Sequence, residues 1–262
     1  MLFNFSGEFS SGKFEFRSLG SNQSISGPNV VLNTIIADTL MHMADELEAA
    51  SDFTSAADAL IRRTLRDHMR IIFNGNGYDN SWREEAARRG LLNLPTTVDA
   101  LPYYIHQKNL DLFARQQVFT PQEVHSRYEV KLEKYVKVID IEALSMVDMA
   151  RQLILPAAIR YSKDIAMEAE SKLKLGFGMQ LEKALLGTLD QQMSILYNGT
   201  FTLEKAVEDS RSMEDMLERA RFTRDRILPV MAEIRAAGDA LETIVGKEYW
   251  PLPTYQELLM SV

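Results

Sequence analysis

Lys13, Glu15 and Arg17 alternate with Phe14 and Phe16 in the run Gly12-Lys13-Phe14-Glu15-Phe16-Arg17. A period of two places three charges on one face of a β-strand and two aromatics on the other. Charges of both signs about 6–7 Å apart on one strand face could line a cleft that binds a phosphate and a metal ion. A hard cation takes carboxylate oxygen, and a phosphoryl group in transfer needs cationic clamps more than covalent chemistry. An edge strand with its charged side in water has the same pattern. Spacing alone leaves both readings open.

The sequence around the run separates them. Lys13 to Arg17, followed by Ser21-Asn22-Gln23-Ser24-Ile25-Ser26-Gly27-Pro28-Asn29, resembles the strand near the end of the catalytic barrel in glutamine synthetases, most closely in the type III branch. Further blocks resemble that branch in the same order: Arg70 to Tyr78, Asp99 to Pro102, Lys108-Asn109 with Leu112-Phe113, Ser126 to Glu129, Ile141 to Met146, Ile154 to Ala157, and Trp250 to Tyr255.

The resemblance implies a C-terminal portion of a longer enzyme that ligates ammonia to L-glutamate at the expense of ATP, through a glutamyl-phosphate intermediate. It implies that Glu15 is a ligand of one of two divalent metals (Mg2+ or Mn2+), that Arg17 contacts glutamate or its phosphorylated form, and that Lys13 contacts the phosphates of ATP. It also implies a ring-based homo-oligomer with sites at subunit interfaces. The remaining metal ligands are then expected from upstream strands and a neighbouring subunit, and the isolated chain is expected to be inactive.

Composition narrows the alternatives. Of 262 residues, 46% are apolar and 25% charged, the balance of an ordinary globular protein. The net charge of −8 argues against nucleic acid as a partner. The chain has no cysteine, which removes disulfides and thiolate metal sites. No apolar run approaches the ~20 residues that span a bilayer, and Met1-Leu2-Phe3-Asn4-Phe5 lacks signal-peptide character. A cytoplasmic protein without a membrane partner is expected.

The elements that must position the three charges follow from periodicity. The fold class expected is mainly α, with a short N-terminal β segment at 13–17 left over from a catalytic sheet. A helix follows from Pro28 to about Ala50, and a second from about Ser55 to Phe73, with Ser55-x-x-Asp58 as its capping box. Asn74-Gly75-Asn76-Gly77 reads as turn chemistry. Ser81-x-x-Glu84 opens a short helix ending at Gly90. Thr120-Pro121-Gln122-Glu123 opens a long helix, reaching about Leu175, that Pro156 must kink or split. Residues 179–198 read as a helix ending at Asn198-Gly199, and Thr202 to about Val245 as its partner in a helical hairpin, with Pro229 inside. The tail Tyr249 to Tyr255 reads as a Pro- and aromatic-rich segment packed on the body. The domain division expected is 1–50, the end of a catalytic domain, and 51–262, a C-terminal helical domain. No internal repeat stands out. A non-catalytic helical assembly or regulatory module is the competing reading.

Overall fold

A computed structural model describes residues 23–253 and 255–260. Lys13, Glu15, Arg17 and the strand expected around them lie outside the described residues. Among those described, every regular element is helical, and the mainly α class holds. The chain divides between Tyr128 and Glu129 into two compact units.

The first unit begins with α1 (Ser26–Glu48) and α2 (Phe53–Asp67). α2 is capped by Asp52, whose side chain accepts the amide of Thr54 and the hydroxyl of Ser55. The expected cap at Ser55 is thereby corrected: Ser55 is a donor to the cap, three residues inside it. α3 (Asn80–Arg88) is capped by Asp79 and closed by Gly90 at φ +70°, the left-handed geometry that glycine adopts at no steric cost. α4 (Thr97–Tyr104) and α5 (Gln107–Arg115) follow. The apolar centre is small: Val98 and Phe113 are almost fully buried, with the Phe113 ring 5.3 Å from that of Phe119.

α6 (Pro121–Met149) opens with the expected capping box. The Thr120 amide donates to Glu123 at 2.8 Å, and the Glu123 amide donates back to the Thr120 hydroxyl at 3.3 Å.

The second unit starts within α6. Residues 150–154 form a π turn, and α7 (Leu155–Lys174) continues beyond it. Proline lacks an N–H, and its ring clashes with the carbonyl four residues back. Widening the preceding turn by one residue moves that carbonyl away. The Leu155 amide accordingly reaches Ala150 O. The chain solves the same problem twice: residues 223–227 form a second π turn, Leu228 N–H bonds to Thr223 O, and Pro229 is the second residue of its helix. Arg151-Gln-Leu-Ile-Leu-Pro156 and Arg224-Asp-Arg-Ile-Leu-Pro229 share the pattern Arg-x-x-Ile-Leu-Pro. The expectation of no internal repeat misses this six-residue likeness.

α8 (Gln180–Arg211) runs unbroken through Asn198-Gly199, which corrects the predicted helix end. Gly199 faces α10 (Leu228–Glu242), where a Cβ would lie 2.7 Å from Ile234 Cγ1. The missing side chain lets two helices approach closely instead of turning the chain. The real turn is at 212–215, after which Asp215 caps α9 (Met216–Phe222). Leu189, Leu196 and Leu203, seven residues apart on α8, are fully buried and meet Ile227, Ile234 and Leu241. That stripe is the core, at roughly 1.5–3 kcal/mol per buried aliphatic side chain. Met146 packs against it, while Met149, three residues on, is exposed. The tail packs as expected, with Tyr249 and Trp250 against the core and the Tyr249 hydroxyl donating to Asp164 at 2.5 Å. A last short helix, α11 (Tyr255–Met260), follows.

Candidate functional site

The described residues begin at Gln23, eight positions after Glu15, so the site expected at Lys13, Glu15 and Arg17 lies outside them. Several of their titratable groups are committed to structure. His106 caps α5, its Nδ1 accepting the Lys108 amide at 3.3 Å. His42 lies 3.8 Å from Asp38. Among the described residues no group of three or more His, Asp or Glu side chains could hold a metal ion. By themselves they do not fit a divalent-cation centre.

Asp38 on α1 is a strongly held carboxylate of the first unit. Arg115 donates to both its oxygens, at 2.7 and 2.8 Å, and Gln116 donates at 2.9 Å. These hydrogen bonds, the one from Arg115 foremost, pull its pKa from 3.8 down to about 2. The ladder ties α5 to α1; Arg63 on α2 grips Glu46 of α1 in the same bidentate way.

Arg89 organises the loop between α2 and α3. It donates to the carbonyls of Ile72 at 2.8 Å and Arg70 at 3.3 Å, and to Glu85 at 2.5 Å. Its guanidinium lies 5.9 and 5.5 Å from the Phe73 and Trp82 ring centres, and those rings stack at 4.2 Å. The Asn-Gly residues therefore form a turn fastened from beneath.

In the second unit, Arg151 in the first π turn donates to Thr200 at 3.1 Å and to both oxygens of Glu204 at 2.7 and 2.6 Å. Its guanidinium sits 4.6 Å from the centre of the Phe201 ring. Beside it, Leu155, Pro156, Ile159, Met193, Ser194 and Tyr197 line an apolar groove of about 510 Å³. Its cation is paired with Glu204, and among the described residues no carboxylate, histidine or lysine lines the groove to activate the Ser194 or Tyr197 hydroxyl. Lys172 and the buried Glu182 join the end of α7 to the start of α8. The Lys172 hydrogen bond holds the Glu182 carboxyl below the usual carboxylate range, and Lys172 is raised in return. None of these pairs is expected from the sequence alone, and Asp38–Arg115 and Arg151–Glu204 join partners 77 and 53 residues apart along the chain.

No described helix is long and apolar enough to cross a membrane. Residues 56–173 match the glutamine synthetase C-terminal domain. The chain is 34% identical, over 96% of its length, to a type-3 glutamine synthetase of Dictyostelium discoideum, of which it covers 35%. It is 37% identical, over 78% of its length, to a glutamine synthetase of Butyrivibrio fibrisolvens, of which it covers 29%. A glutamine synthetase of Bacteroides fragilis is 28% identical over 97% of the chain, which covers 36% of that protein. The chain thus spans about a third of the length of the curated relatives it matches. Domain match and relatives agree, and the chain belongs to the glutamine synthetase family, as a C-terminal portion of its type III branch.

Proposed function

We propose that this chain is the C-terminal part of an enzyme that ligates ammonia to L-glutamate with ATP, by way of glutamyl phosphate. In this reading residues 1–50 end the catalytic domain and the rest forms a helical domain on which the synthetase is built. Glu15 supplies one carboxylate to a divalent cation, Mg2+ or Mn2+. Arg17 holds the glutamate carboxylate or its phosphorylated form, and Lys13 the phosphates of ATP. One carboxylate does not bind such a cation tightly without further oxygen ligands, so the isolated chain is inactive. The intact enzyme is a ring-based homo-oligomer in the cytoplasm.

The observation that carries this reading is likeness along 96% of the chain to about a third of a type-3 synthetase. Partial coverage of that kind suits a domain that works inside a longer polypeptide. The reading frame upstream of the Met1 codon tests it. An in-frame barrel rich in acidic strand motifs is expected; a start codon at Met1 with no such barrel upstream would contradict the proposal.

A further inference from the structure

Two Asn-Gly pairs stand side by side in the loop at 72–79, and the structure treats them differently. Asn76 is tied twice: its Oδ1 accepts the Tyr78 amide at 3.1 Å, and its carbonyl accepts the Asp79 amide at 3.2 Å. The hydrogen bond fixes the Asn76 side chain toward the amide two residues on. Asn74 is exposed, and among the described residues it makes no hydrogen bond. Gly75 follows it without a Cβ to obstruct its nitrogen.

We propose that Asn74 is a self-modifying residue that converts to aspartate and isoaspartate ahead of Asn76. The Gly75 backbone nitrogen attacks Cγ of Asn74, giving up its proton to solvent. The Cγ–Nδ2 bond breaks, and the amide nitrogen takes a proton and leaves as ammonia. The resulting five-membered imide adds water at either carbonyl. One opening gives aspartate, the other isoaspartate. The sum is one amide plus one water giving one acid plus one ammonia, with no oxidant or co-reactant.

The consequence is mechanical. Gly75 is so close beneath the Phe73 ring that a Cβ there would lie 2.6 Å from Cζ. Phe73 in turn stacks on Trp82, 4.2 Å between centres, under Arg89. Isoaspartate adds a carbon to the main chain immediately before Gly75 and pushes that residue off the ring. The conversion loosens the Phe73–Trp82–Arg89 stack and leaves a new negative charge at the loop tip.

The test follows the purified chain by peptide mapping as it ages at neutral pH, in a Trp250→Phe background where Trp82 is the remaining tryptophan of two. Acid forms at position 74 should accumulate several-fold faster than at 76, and Trp82 emission should shift in step with isoaspartate. Asn74→Gln should remove both changes, and Asn76→Gln neither. Conversion of Asn76 first or equally fast overturns the proposal. So does an intact Asn74, or an emission shift that persists in Asn74→Gln.

Discussion

Arg219 of α9 donates from Nη2 to Oδ2 of Asp140 on α6 at 2.8 Å, while Asp140 Oδ1 is buried without a hydrogen-bond partner. The Asp140 side chain is only 7% exposed, and Arg211 stands 3.8 Å away as a second cation. Removing one partner of a buried pair costs up to about 3–5 kcal/mol, and loss of Arg219 leaves the carboxylate only the more distant Arg211. Arg219→Met should therefore lower the denaturation midpoint clearly. The double change Asp140→Leu with Arg219→Met should recover much of the loss. Chemical denaturation of the three chains measures both, and a near-neutral Arg219→Met would show the pair to be idle.

Two glycines of α8 should respond in opposite directions. Gly199→Ala drives a methyl group toward Ile234, 2.7 Å from Cγ1, and overpacking of that kind costs about 1–3 kcal/mol. Gly187 has open space where its Cβ would be, so Gly187→Ala should gain up to about 1 kcal/mol from helix propensity. Denaturant midpoints of the two variants decide it.

The π turns are predicted to be held by packing as well as by proline. Pro156→Ala should leave the Leu155-to-Ala150 bond in place and shift stability by no more than about 1 kcal/mol. Deleting the half-exposed Leu153 instead forces Pro156 into an α ladder, at about 3 kcal/mol or more. Deletion combined with Pro156→Ala should restore most of that. Thermal unfolding distinguishes the cases, and a harmless single deletion would contradict this account of the turn.

Asp38 makes the first unit sensitive to acid. Its folded pKa of about 2 lies below its ordinary 3.8, so the unfolded chain takes up the proton first as pH falls. The stabilisation from the Arg115 pair is complete above pH 3.8 and disappears as pH falls through about 2. Arg115→Met should bring the Asp38 carboxyl back toward its ordinary value in an NMR titration. Stability in that variant should also depend less steeply on pH across this window.

What could be read from sequence was local. Thr120 and Glu123 announce the start of α6 because both partners of the capping box sit within one turn. Ser55 misled because a Ser-x-x-Asp spacing says nothing about Asp52, which accepts from Ser55 and is the true cap. Gly199 misled for a deeper reason: glycine ends helices and also lets helices touch. Only Ile234, far along the chain, tells the two apart. Arg151 and Glu204 are 53 residues apart, and no periodicity links them. For the candidate site, alternation picked out Lys13, Glu15 and Arg17 as one charged face, and the family resemblance implied a phosphate- and metal-binding chemistry for it. The three lie outside the described residues, and the measurement that follows tests their proposed roles.

That measurement is phosphate release on addition of ATP, L-glutamate and ammonium, made on the isolated 262-residue chain and on the full-length synthetase that contains it. The isolated chain should release none above the blank. The full-length enzyme should be active, and Glu15→Ala within it should lower the rate about a hundredfold. Turnover by the isolated chain, or a full-length Glu15→Ala enzyme as fast as its parent, would contradict the account.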